Sequence, residues 1–207
     1  MHSLSLSVQR LLAISAVALL LSPPEASAQL STTRGLSLGV HLQGTSLTVE
    51  DGEASSGGGL GIRAGYGFNR IVTGFLHLDG SQIEVGNDGS VAGDWNLAHA
   101  EIGARFHFAN SLRRWVPYLE GSVGARVVTV KDASVNGTSE DEVSFNGGAV
   151  TFGAGLSTFF SKRAALDVSL KWTGGTFTEI DLGAVALRNL DIDASSFRFG
   201  LGVIFWP

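Results

Sequence analysis

His77, Asp79 and Ser81 stand at alternate positions, so a base, an orienting acid and a nucleophile would share one row of a β-strand. Neighbours in such a row sit roughly 6.5–7 Å apart, too far for a direct hydrogen-bond relay. The row therefore reads as polar lining rather than a hydrolytic site. Glu140, Asp141 and Glu142 offer carboxylate oxygens of the kind that bind Ca²⁺ or Mg²⁺; such a run is also an ordinary solvated patch. Gly65 and Gly67 flank Tyr66 without a following helix, so no nucleotide loop is built there. Asn136-Gly137-Thr138 has the glycosylation spacing and reads as incidental. No catalytic, cofactor or metal residue is predicted.

The elements behind these residues alternate with a period of two. In Ser195 to Trp206, residues Phe197, Phe199, Leu201, Val203 and Phe205 face one way, and Ser196, Arg198, Gly200 and Gly202 the other. About eight stretches repeat this pattern, beginning with Leu36, Leu38, Val40 and Leu42 against Ser37, Gly39, His41 and Gln43. Long acidic segments (48–59, 84–94, 131–146 and 174–194) read as loops and alternate with short turns at Asn69-Arg70, 110–114 and 161–163. The predicted fold is all-β: an eight-stranded antiparallel up-and-down transmembrane β-barrel.

A soluble barrel alternates as well, with its oily face inward. The non-oily face decides between them. It carries glycines such as Gly61, Gly65, Gly103, Gly153 and Gly200 around a few charges, which suits a cramped interior better than a wetted surface. Its cations Arg63, Arg105, Arg126, Lys171 and Arg198 nearly balance its anions Asp79, Glu101, Glu120 and Asp167. Enclosed ions must be paired to offset desolvation, so these nine are expected to form an internal ion-pair network. Tyr66, Phe68, Trp95, Phe106, Phe108, Trp115, Phe160, Trp172 and Phe205 fall mostly near strand ends, as interfacial aromatic girdles do.

Composition agrees. Of 207 residues 28 are Gly and 16% are charged, few for a soluble domain, and the formal net charge of −5 gives no basic excess for nucleic acid. Cysteine is absent, which excludes disulfides and a lipidated N-terminal Cys. Arg10, the apolar run Leu11 to Leu21 and Ala26-Ser27-Ala28 form an expected signal peptide over residues 1–28, leaving 29–207 as one barrel domain. The four long segments hold 14 of the 19 acidic residues, whereas the short turns hold Arg70, Arg113, Arg114, Lys162 and Arg163 and no acid.

On these patterns the whole mature chain resembles the OmpA/OmpX-like outer-membrane β-barrels. The resemblance implies a Gram-negative outer membrane, contact with its lipids and lipopolysaccharide, insertion by the barrel-assembly machinery that reads an aromatic-ending last strand, and termini on the periplasmic side. The chain departs from that pattern by ending Phe205-Trp206-Pro207, beyond the aromatic. No peptidoglycan-binding domain like that of OmpA is expected after the barrel, so no cell-wall tether is carried over. No cofactor is implied. A structural or surface-interaction role through the acidic loops is the leading expectation, with an enzyme acting on lipid A or another rim substrate, or a narrow ion channel, as the alternative. A secreted lipocalin-like carrier is third. By parity His41, His77, His99 and His107 face inward, which argues against a lipid-facing deacylase site.

Overall fold

Alternating apolar side chains and tight turns give a single closed sheet. The structure, a computed structural model, describes residues 33–49, 52, 54–84, 91–108, 114–135, 138–181 and 186–207; the expected signal peptide lies outside them. The strands are β1 (Gly35–Val49), β2 (Ser55–Gly67), β3 (Val72–Glu84), β4 (Val91–His107), β5 (Trp115–Val135), β6 (Thr138–Phe159), β7 (Ala164–Asp181) and β8 (Ala186–Phe205). Each pairs antiparallel with its chain neighbours, and β1 pairs with β8, closing an eight-stranded up-and-down barrel. At the β2–β3 turn, Asn69 Oδ1 accepts from the backbone N–H of Ile71 and Val72, so one short side chain replaces the missing ladder partners.

Around the middle of the barrel the oily face is outside. Leu42, Leu60, Ile62, Ile102, Phe152, Phe197 and others are 41–64% exposed, and no soluble core covers them. That orientation removes the soluble-carrier reading, which needs these chains inward.

Above the band the polarity inverts. Leu47, Ile83, Leu97, Val128, Val130, Val143, Phe177 and Ala194 point inward and form one buried apolar cluster, with Trp95, Phe145, Ile180 and Ile192 packed on it. The residues that face outward at this level include Ser46, Gln82, Asn96, Thr129, Ser144 and Asp193. The alternation carries on through this level, with a register shift in β7 between Phe177 and Glu179 that turns Ile180 to the inner face as well; the solvent outside has changed from hydrocarbon to water. This corrects two sequence expectations. Segments 131–146 and 174–194 are mostly ladder, with Val130 opposite Val143, Ser134 opposite Ser139 and Asp181 opposite Ala186. Trp95 packs on this lumen-facing apolar cluster and stacks on Phe145 instead of joining the lipid-facing girdle, because it shares the inward parity of Leu97 and His99.

A second apolar layer closes the other end, where Val116, Phe159, Ala165, Ile204 and Trp206 pack together. The last strand keeps its register: Phe205 faces out, opposite Leu38 and Ala164, while Trp206 folds into the lumen against Phe159. The Trp206 backbone N–H is held by the Arg163 carbonyl.

Candidate functional site: a charged lumen between two apolar layers

Between the two layers the inward positions of all eight strands meet. On the side nearer Trp206, the Arg63 fork donates to both oxygens of Glu120, at 2.8 and 3.0 Å. Arg105 Nε donates to the same carboxylate at 2.9 Å, while its Nη1 and Nη2 reach Asp167 at 3.0 and 3.4 Å. Asp167 also accepts from the Tyr118 hydroxyl at 2.9 Å and from Ser157 at 2.7 Å, and lies 3.3 Å from His41 Nε2. The Arg105 guanidinium lies 3.5 Å over the Tyr118 ring. Planar forks on fully bonded carboxylates are the arrangement in which buried charge is least costly.

Toward the other end Arg198 bridges Asp79 and Glu101 and donates to Thr173 at 2.6 Å. Asp79 further accepts from Gln43 and His99, both at 3.0 Å, and Glu101 from Thr151 and Ser122. Lys171 joins the halves, with Nζ 3.7 Å from Glu120 and 3.2 Å from His77 Nδ1. The strands make this possible by being uneven in bulk. Gly57, Gly59 and Gly61 leave the inner face of β2 nearly bare, so Gln43 and Thr45 of β1 bond Asp79 and Ser81 of β3 directly across it.

The structure thus brings Arg63, Asp79, Glu101, Arg105, Glu120, Asp167, Lys171 and Arg198 into one connected set. Arg126 stands apart. It is fully buried and has no carboxylate within 4 Å among the described residues; it donates to the Gly175 carbonyl and lies 4.4 Å over the Phe177 ring. It is where the charged middle meets the apolar cluster, and the aromatic face stands in for an anion. The hydroxyl, amide and imidazole partners named above had the inward parity but no sequence signal beyond it. Their choice of partner depends on which strands face each other across the lumen.

The His77, Asp79 and Ser81 row does not form a relay. His77 Nδ1 does come within 3.4 Å of Asp79 Oδ2, closer than the spacing along the strand suggests, but Asp79 is also held by Arg198 and His99, and Ser81 Oγ is bonded to Gln43 and Thr45 and to neither of the other two. Among the described residues no group of three or more His, Asp or Glu is arranged to hold a metal ion. The side chains of Glu140, Asp141 and Glu142 lie outside the described residues.

A closed eight-stranded barrel, oily outside within the band and charged inside, is an integral outer-membrane protein of the Gram-negative type. The chain belongs to the family described as outer membrane protein beta-barrel domain, whose family model matches residues 13–205. No curated protein matches it. Among solved structures it is similar to neisserial surface protein A, with 15% identity and a TM-score of 0.62 over 83% of this chain and 96% of that one. It is also similar to Ail, the attachment invasion locus protein of Yersinia pestis, with 17% identity and a TM-score of 0.54 over 84% of this chain and 100% of that one. A third is OprG of Pseudomonas aeruginosa, with 14% identity and a TM-score of 0.50 over 84% and 97%. At these identities the likeness concerns the fold.

Proposed function

We propose that this protein is exported by a cleaved signal peptide at residues 1–28, inserted by the barrel-assembly machinery, and acts at the cell surface as a structural or interaction protein through its extracellular hairpins. One observation carries the reading: the lumen is filled, with a charged network between two apolar layers, so the part of the molecule that can meet a solute or a partner is the part that projects. β5 and β6 run 21 and 22 residues, against the roughly 9–11 that a membrane strand needs, and their hairpin is the longest extension. The charged network serves as the rigid filling that holds the barrel in one shape.

The partner chemistry follows from charge. The projecting segments carry 14 acidic residues, and of those Asp181, Asp191 and Asp193 are exposed. A cationic surface, such as a basic protein, is attracted to this end; polyanions are repelled. Divalent cations bridging these carboxylates to lipopolysaccharide phosphates would tie the same end to the membrane. Ail, whose fold is similar, is named for attachment and has been solved with a heparin analogue, a polyanion. The acidic hairpins here favour the opposite ligand charge.

Cells displaying the intact protein should bind amine-coated beads in low salt, and replacing residues 131–142 by a short turn should lower that binding severalfold. Unchanged binding by the trimmed protein, at equal surface amount, would overturn the role given to the hairpin. Preferential binding of sulfated beads would overturn the charge argument.

A further inference from the structure

The periplasmic end of the barrel is flush, where the other end projects. Between β6 and β7 only residues 160–163 turn the chain, and the turn closes on itself. Phe160 and Ser161 N–H donate to the Ala164 carbonyl at 3.1 and 3.2 Å, and Arg163 N–H donates to Ser161 Oγ at 3.2 Å. Lys162 and Arg163 are left exposed at the tip. Arg114, just before β5, stands beside this turn. Its carbonyl accepts from Phe159 N–H at 2.8 Å and its Nε donates to the Phe159 carbonyl at 3.0 Å. The half-buried guanidinium is thereby locked across to the end of β6, with its two terminal nitrogens unspent among the described residues. None of the three cations pairs with a carboxylate among the described residues. The acid nearest the turn along β7, Asp167, is fully buried and bonded to Arg105, Tyr118 and Ser157. On the lipid side the spot is bounded by Trp115 and Phe160, 60% and 54% exposed.

Three cations gathered at one turn without a carboxylate attract an anion, and their depth selects which anion. The chain folds back so soon after Phe160 that Lys162 and Arg163 stay within the roughly 5–8 Å of a headgroup layer, beside the aromatic girdle. A wall polymer would have to reach in to them; a lipid phosphate is already at that depth. We propose that Arg114, Lys162 and Arg163 bind the phosphate headgroup of an anionic phospholipid of the inner leaflet, with its acyl chains along Trp115 and Phe160. The inference rests on the orientation given under the proposed function, long hairpins outward. Arg114 is the specific element, because a planar fork already held in place gives up little freedom on pairing with phosphate. A zwitterionic lipid brings its own ammonium beside the phosphate, so the site distinguishes net charge. The bound headgroup would also brace the start of β5 against the β6–β7 turn, next to Val116 and Phe159 of the inner apolar layer.

The test uses the whole barrel folded in detergent micelles with equal amounts of phosphatidylglycerol and phosphatidylethanolamine, the retained lipids being counted by native mass spectrometry. Wild type should retain phosphatidylglycerol severalfold over phosphatidylethanolamine. Arg114→Gln and the double variant Lys162→Gln/Arg163→Gln should each lose most of that preference while keeping heat-modifiable mobility. Arg70→Gln, which removes a cation from the β2–β3 turn of the same rim, should leave it nearly unchanged. Equal retention in wild type, an intact preference in the double variant, or an equal loss in Arg70→Gln would each overturn the proposal, the last by showing a diffuse ring of charge in place of a site. Lys162 and Arg163 are exposed, so the double variant decides even where Arg114→Gln does not fold. Co-sedimentation with purified peptidoglycan that Arg114→Gln abolishes, without any lipid preference, would assign the cations to the wall polymer instead. Orientation is read separately. The chain has no cysteine, so Lys162→Cys supplies a single thiol. Its labelling by a membrane-impermeant maleimide on intact cells would overturn the orientation and the inner-leaflet lipid with it; labelling only after lysis supports the orientation, and the lipid preference then decides the site.

Discussion

Glu120 accepts from Arg63 through both oxygens and from Arg105 through one, and it is 5% exposed. Removing that carboxylate leaves buried cations with too few partners, which in other proteins costs roughly 3–5 kcal/mol. Glu120→Leu should therefore lower the stability of the vesicle-embedded barrel by about that much in urea titration. The double variant Arg63→Leu/Glu120→Leu should be less destabilised than Glu120→Leu alone, because it removes the orphaned charge with its partner. A double variant as weak as the sum of two singles would mean that the pair is not coupled. Every inward charge was legible from strand parity, yet the pairing was not. Arg63 and Glu120 are 57 residues apart and come from β2 and β5, which share no ladder. Their meeting is set by the diameter of the closed barrel, a property of all eight strands at once. Arg126 shows the same limit: parity placed it inward, but its position against Phe177, above the other charges, depends on how far each strand has climbed.

At the level of the strand, β5 crosses two solvents on one face. Val123 is 55% exposed in the lipid-facing band, and Thr129, three alternations further along the same face, lies beyond it, where the inward neighbours Val128 and Val130 are apolar. Val123→Lys should cost roughly 2–4 kcal/mol, as cations near the middle of a bilayer do, whereas Thr129→Lys should stay within about 0.5 kcal/mol. Equal costs at the two sites, by urea unfolding in vesicles, would contradict the inversion of polarity between them. Phe177 is 1% exposed and packs with Phe145 and under Arg126. Phe177→Ala should leave the membrane part folded and heat-modifiable, but loosen the projecting hairpins by roughly 3–5 kcal/mol, read as faster cleavage by protease added to intact cells. The membrane strands were readable because alternation, glycine and charge all pointed to one orientation. The projecting ladders were not, because acidic and small residues on their wet face mimic loop composition while Val143, Phe145, Phe177 and Ile192 carry the alternation underneath.

For the molecule as a whole, the lumen is three barriers in series: the layer at Trp206, the charged middle, and the apolar cluster at the base of the hairpins. An ion crossing it would leave water at one apolar layer, displace paired side chains, and meet a second apolar layer before reaching water again. Each step carries its own desolvation penalty. The sequence made a side-chain-filled interior readable from strand number and inward charge. The two apolar layers were hidden, the outer one in segments that read as loops and the inner one in a Trp-Pro ending that read as an extension past the last strand. Series barriers make a definite prediction for conductance. Wild type in a planar bilayer should show no open-channel steps. Trp206→Ala should show none either, because the charged middle and the outer layer still stand, and the same holds for Phe177→Ala, which leaves the Trp206 end intact. Persistent steps in wild type would mean that a path runs beside the network. Steps in only one single variant would identify that layer as the whole barrier and reduce the charged middle to a lining that ions can pass.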